Sequence, residues 1–217
     1  MKSLLLFFLC AAVARAAELT APERATLLSD LRELHAQHPT LQADFVEQKT
    51  THLLNKPLTS EGTIWFSVPD KFRREVRGNN ATTTVSDGRT MWIYYPNFKE
   101  AELYVLGQRA FFDDSISALT AGLNFQRIDE FYNFRAWHED GIWRLELTPK
   151  KPSLKRIVQQ LILTLDSEFH PRKTELVLPK GDRLVTNYTS VRRPPLPAST
   201  FEFSPPPDAH VSRPLGK

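Results

Sequence analysis

Cysteine occurs once in the 217 residues, at position 10. It lies within the opening MKSLLLFFLCAAVARA, which has the layout of a secretory signal peptide. Lys2 supplies the charge, Ser3 to Val13 the apolar stretch, and Ala14-Arg15-Ala16 a small-x-small cleavage site. The apolar stretch is too short to span a bilayer. Leu9 stands before Cys10 where lipoprotein processing needs a small residue, so lipid anchoring is not expected there. Processing of residues 1–16 leaves a chain, 17–217, with no cysteine. That excludes a disulfide and a thiol nucleophile, and the core must hold without a covalent link.

An excess of one charge is also lacking. Lys and Arg number 28 against 25 Asp and Glu, and loss of Lys2 and Arg15 leaves 26 against 25. A net charge near +1 gives no basis for a nucleic-acid partner, despite the basic run KFRREVR at 71–77. Long apolar runs are absent beyond the signal, so no later membrane helix is expected. The eight glycines form neither a P-loop nor a Gly-x-Ser-x-Gly elbow, and there is no His-Glu-x-x-His. His35 and His38 are three apart, but no third ligand accompanies them. Asp113 and Asp114 are adjacent and on a helix point apart; they suit a first turn better than acid–base chemistry. The chain is read as a non-enzyme without metal or cofactor.

Aromatic residues are what the sequence has in quantity: 14 Phe, 5 Tyr and 4 Trp. Thr20-Ala21-Pro22-Glu23 resembles a capping box, and Leu27, Leu28, Leu31 and Leu34 follow at helical spacing. Residues 21–37 are therefore predicted helical, ending before Pro39. From Thr40 the period changes to two. Strands are predicted at 40–46, 63–68, 71–76, 82–86, 90–95, 99–105, 142–149, 156–166, 171–179 and 183–191, with a short one at TFEFS. Short turns such as Asp87-Gly88 and Pro96-Asn97 make neighbours antiparallel. Residues 109–123 form a second helix with Phe112, Ile116, Leu119 and Leu123 on one stripe. The aromatic stretch 125–137 fits either period.

The expected fold is mainly β: one unclosed antiparallel barrel of about ten strands, with helices lidding its concave apolar face. Alternation places Phe45, Ile64, Phe66, Val68, Phe72 and Val76 on the concave wall. Strand 90–95 is apolar on both faces, so either Met91 and Ile93 or Trp92 and Tyr94 can look inward. Leu27, Leu31 and Leu34 fit a lid or plain core. Arg74 shares a face with Phe72 and Val76 and therefore needs an acceptor, unless it reaches solvent at the rim.

Several segments together resemble the LolA family of periplasmic lipoprotein carriers: LQADFVEQK (41–49), GTIWFSVPDKFRREV (62–76), VSDGRTMWIYYPNFKEAELY (85–104), WRLELTPK (143–150) and TFEFSPPPDAHV (200–211). The resemblance implies one carrier domain over 17–217 that binds lipoprotein acyl chains in a hydrophobic cavity. The implied cavity residues are Phe45, Ile64, Phe66, Val68, Phe72, Val76, Met91 and Ile93, under a lid bearing Phe112, Ile116, Leu119 and Leu123. Acylated lipoprotein is the implied cargo, received from an inner-membrane ABC-type exporter and passed to an outer-membrane acceptor by a monomer. Family members often have Arg directly before the Pro where this chain has Val68, and Trp where it has Arg74. Arg74 is thus the candidate for latching the lid or meeting a headgroup. Another acylated lipid or glycolipid as cargo, or an envelope sensor on the same fold, are the alternatives.

Overall fold

The computed structural model describes residues 17–107, 125–126 and 128–214. The segment bearing Phe112, Ile116, Leu119 and Leu123 lies outside the described residues, as does the proposed signal peptide.

Helix α1 (Ala21–Gln37) has the predicted bounds. The Glu23 carboxylate accepts from the Thr20 N–H and hydroxyl, each at 2.7 Å, which closes the first turn. These bonds hold the Glu23 pKa below its ordinary value. Pro39 follows the C-cap, and the chain enters the sheet.

Among the described residues twelve strands make one sheet: β1 (Thr40–Thr50), β2 (Leu58–Ser67), β3 (Lys71–Arg77), β4 (Thr82–Ser86), β5 (Thr90–Tyr95), β6 (Glu100–Val105), β7 (Tyr132–Glu139), β8 (Ile142–Pro149), β9 (Gln160–Leu165), β10 (Pro171–Val177), β11 (Arg183–Arg192) and β12 (His210–Ser212). Their order is β12-β6-β5-β4-β3-β2-β1-β11-β10-β9-β8-β7. The end strands β12 and β7 do not pair, so the sheet is unclosed. Every pairing is antiparallel except β12 with β6.

The strand count exceeds the predicted ten because of two elements. The ambiguous stretch resolves into a helical turn α2 (Ile128–Phe131) and strand β7, and the tail adds β12. Boundaries also differ: β1 runs on to Thr50, and β2 begins at Leu58 where 63 was expected. The strand expected from 156 begins at Gln160, after a turn α3 (Pro152–Lys155) started by its proline. TFEFS is no strand: Ala198–Phe201 is a 3-10 turn. The following residues lie across the outer face of β5, where Phe203 meets Trp92 at 6.0 Å and Tyr94 at 5.7 Å between ring centroids.

That covering explains why β5 is apolar on both sides. Its register with β4 puts Met91 and Ile93 on the row of Ser86 and Thr84, the concave side, and Trp92 opposite Val85 on the convex side. Val85 and Phe201 are fully buried in this outer layer.

The inner face divides in two. Beneath α1, Leu27, Leu28 and Leu31 pack with Leu145, Leu147, Leu161 and Leu163 of β8 and β9, and with Ile128, Phe131 and Leu154. Those helix leucines are core of this half. The second half is lined by β1, β2, β3 and β5.

Candidate functional site

Pleating sends alternate side chains of β1 (Leu41, Ala43, Phe45) to the concave face. Register then aligns Leu41 with Phe66, Ala43 with Ile64, and Phe66 with Phe72. These residues, with Val76 and Met91, form one buried cluster, against which Val68, Ile93, Tyr104, Leu106, Tyr188 and Val191 pack half-buried. All eight residues expected on the wall fall in this assembly. Leu41 and Ala43 belong to it too, on the same alternation as Phe45. Tyr188 enters because β11 places it opposite Phe45, a pairing of distant segments that periodicity does not reveal.

Gly62 makes room for the centre of the cluster. It stands opposite Phe45 on one side and Val76 on the other. A side-chain carbon there would lie 2.6 Å from the Phe45 ring tip and would collide with the Glu75 carbonyl oxygen. Only glycine lets the ring lie flat against β2.

One ion pair crosses this lane. The Arg74 guanidinium lies over the Phe45 ring, 4.4 Å from its centroid, and donates through Nη2 to Glu47 Oε1 at 2.8 Å. Glu47 Oε2 accepts from the Thr186 hydroxyl at 3.1 Å. The side chains are 28 % and 16 % exposed, so the pair is half-buried and not a rim contact in water. The acceptor that Arg74 requires is therefore Glu47. Its identity was not legible from sequence, because the two residues meet diagonally across β2.

A second polar point lies at the β6 side. Glu102 accepts from the Tyr104 hydroxyl at 2.8 Å. Burial, with that bond and the carboxylate charge, pushes the Tyr104 pKa up to about 12. Burial likewise raises Tyr188, whose hydroxyl is 3.4 Å from that of Thr174.

Where α1 approaches the cluster, His35 is buried against Phe125 with ring centroids 5.3 Å apart. Its Nδ1 has no hydrogen-bond partner among the described residues. Burial, and then the positive charge of Arg193, lower its pKa to about 4. His38 is exposed at the helix end. Among the described residues no group of three or more His, Cys, Asp or Glu is placed to hold a metal ion. An apolar concave face with a charged pair set into it can shelter hydrocarbon and offer hydrogen bonds to a polar end.

The family model described as outer membrane lipoprotein carrier protein LolA matches residues 36–204. An outer-membrane lipoprotein carrier protein of Dechloromonas aromatica is 28 % identical over 184 residues, covering 79 % of this chain and 80 % of its own. One from Chromobacterium violaceum is 33 % identical over 147 residues, or 67 % and 68 % of the two chains. Among solved structures, an uncharacterized conserved protein of Thermus thermophilus superposes with a TM-score of 0.54 at 13 % identity, over 88 % of this chain and 99 % of that one. That likeness concerns the fold alone.

Proposed function

The chain belongs to the family of the outer membrane lipoprotein carrier protein LolA, and from that premise we propose that it carries lipoproteins across the periplasm with their acyl chains on the concave face. The observation that carries this reading is the cluster of Phe45, Ile64, Phe66, Phe72, Val76 and Met91, with Val68 and Ile93 beside it, on one side of an unclosed sheet.

The physical need is clear. Each methylene kept from water is worth ~0.8 kcal/mol, so a chain of about sixteen carbons resists leaving a membrane by on the order of 12 kcal/mol. A carrier that offers an apolar wall lowers that barrier. The protein enters the periplasm by means of a signal peptide at 1–16, takes cargo from an inner-membrane ABC-type exporter and yields it to an outer-membrane acceptor. Arg74 exchanges its bond to Glu47 for the cargo headgroup.

Native mass spectrometry of protein taken from the periplasm tests this. Expected is a co-purifying triacylated or diacylated lipoprotein. A glycolipid or other acylated adduct in its place would move the cargo assignment, and a chain with no acylated species would overturn the carrier reading.

A further inference from the structure

The hairpins at the two ends of the sheet differ in charge. At one end stand the connections 51–57, 78–81, 96–99, 150–159 and 178–182. Register puts them together: Lys49 pairs with Leu58 and with Leu184, Glu61 with Arg77, Tyr95 with Glu100, and Val177 with Gln160. Two contacts tie adjacent hairpins, His52 Nδ1 to Asp182 at 2.9 Å and Asn97 Nδ2 donating to the Asn79 carbonyl at 2.6 Å. These connections hold seven Lys and Arg (Lys56, Lys99, Lys150, Lys151, Lys155, Arg156, Lys180) and one acid, Asp182. At the other end, connections 68–70, 87–89, 140–141 and 166–170 hold five acids and one arginine, Arg89, and Arg193 donates to the Phe169 carbonyl beside them. Among these hairpin connections the first end is thus the more basic, although Asp129 and Glu130 of α2 and Asp208, paired with Lys99, also lie there.

The basic end also bears apolar tips. Leu53 is 78 % exposed, Phe98 74 % and Leu54 45 %. They stand on two separate hairpins, with Lys56 beside the first, while Lys99, next to Phe98, is paired with Asp208 at 2.7 Å. Exposed apolar side chains on separate tips, ringed by cations, suit a fluid anionic surface, which needs no matching shape.

We propose that this end is a membrane-contact edge, in which Leu53, Leu54 and Phe98 enter the interface of an anionic phospholipid bilayer and the surrounding lysines meet its headgroups. Strand β1 leads from Phe45 past Glu47 into the Leu53 hairpin, so the edge continues from a strand that lines the apolar face. This edge is independent of what the concave face binds.

Flotation with vesicles of phosphatidylglycerol and phosphatidylethanolamine, against vesicles of phosphatidylcholine, tests it. The protein is expected to float with the anionic vesicles at low salt, less so as NaCl rises, and not with phosphatidylcholine. L53S/L54S/F98S and K56Q/K155Q/R156Q/K180Q are each expected to weaken association by at least about tenfold. Both should retain the wild-type circular-dichroism spectrum and wild-type binding of a fluorescent fatty acid, which separates this edge from the concave face. Wild-type protein that ignores anionic vesicles, or variants that bind them equally well, would overturn the proposal. So would a photo-crosslinker at position 98 that captures protein and no phospholipid from envelope vesicles.

Discussion

Arg74 reaches Glu47 across the face of Phe45, at 2.8 Å from the carboxylate and 4.4 Å above the ring. The pair joins β3 to β1 over the side-chain-free lane left by Gly62, and couples the apolar wall to its polar group. Glu47→Ala leaves a half-buried guanidinium without its acceptor and is expected to cost about 1–2 kcal/mol, below the range for a fully buried pair. Arg74→Leu leaves Glu47 its bond from Thr186 and should cost less. If Arg74 serves the cargo, Arg74→Leu changes acyl-lipid uptake or release while the urea midpoint hardly moves. Unchanged transfer would remove Arg74 from the mechanism.

Gly62→Ala puts a methyl group against the Glu75 carbonyl and the Phe45 ring. Backbone on one side cannot yield, so a loss of about 3 kcal/mol is expected from overpacking. Chemical denaturation measures it. A variant of native stability would show that β2 and β3 separate more readily than their register suggests.

His35 gives a pH dependence with a definite sign. Its folded pKa of about 4 lies below the ordinary 6.5, so the fold favours the neutral ring. The unfolded chain binds the extra proton first. The contribution of His35 is therefore full above pH 6.5 and declines as pH falls toward 4; over that window it amounts to about 3 kcal/mol. Denaturation midpoints of wild type and His35→Leu, compared from pH 7 to pH 4, isolate it from the carboxylates. The wild type should lose more stability on acidification than the variant. Parallel curves would contradict the burial of an unpartnered imidazole.

The C-terminal segment acts as the cover of the outer face. Phe201 is 4 % exposed, and Arg73 Nη1 donates to the Thr200 carbonyl at 3.3 Å. Phe201→Ala is expected to cost about 3–4 kcal/mol. Phe203→Ala should cost less but shift tryptophan emission to the red, as Trp92 loses its neighbour. No shift would mean that Trp92 is shielded by other groups.

Much of this fold is legible from alternation. Phe45, Ile64, Phe66, Phe72 and Val76 are assigned to one face because the pleat has period two, and the structure gathers them in one cluster. Strand β5 is not decidable that way: both of its faces are apolar, and what covers the outer one arrives from residues 198–203, a hundred positions later. TFEFS alternates as a strand does, yet three prolines follow Ser204 and the segment serves as a cover. Residues 125–137 place aromatics at both periods, so the turn before β7 was hidden. Glu47 looks like a solvated acid in sequence and becomes the partner of Arg74 only through the packing of three strands.

The central claim is that hydrocarbon rests on the β1–β3 and β5 half of the inner face. Loading the protein with a sixteen-carbon acyl chain bearing a terminal diazirine, then irradiating and mapping the adducts by mass spectrometry, measures this directly. Adducts are expected in the peptides containing Phe45, Ile64 to Phe72, and Met91 to Ile93. Labelling confined to α1 and its β8–β9 partners, or to the outer face around Trp92 and Phe203, would contradict it.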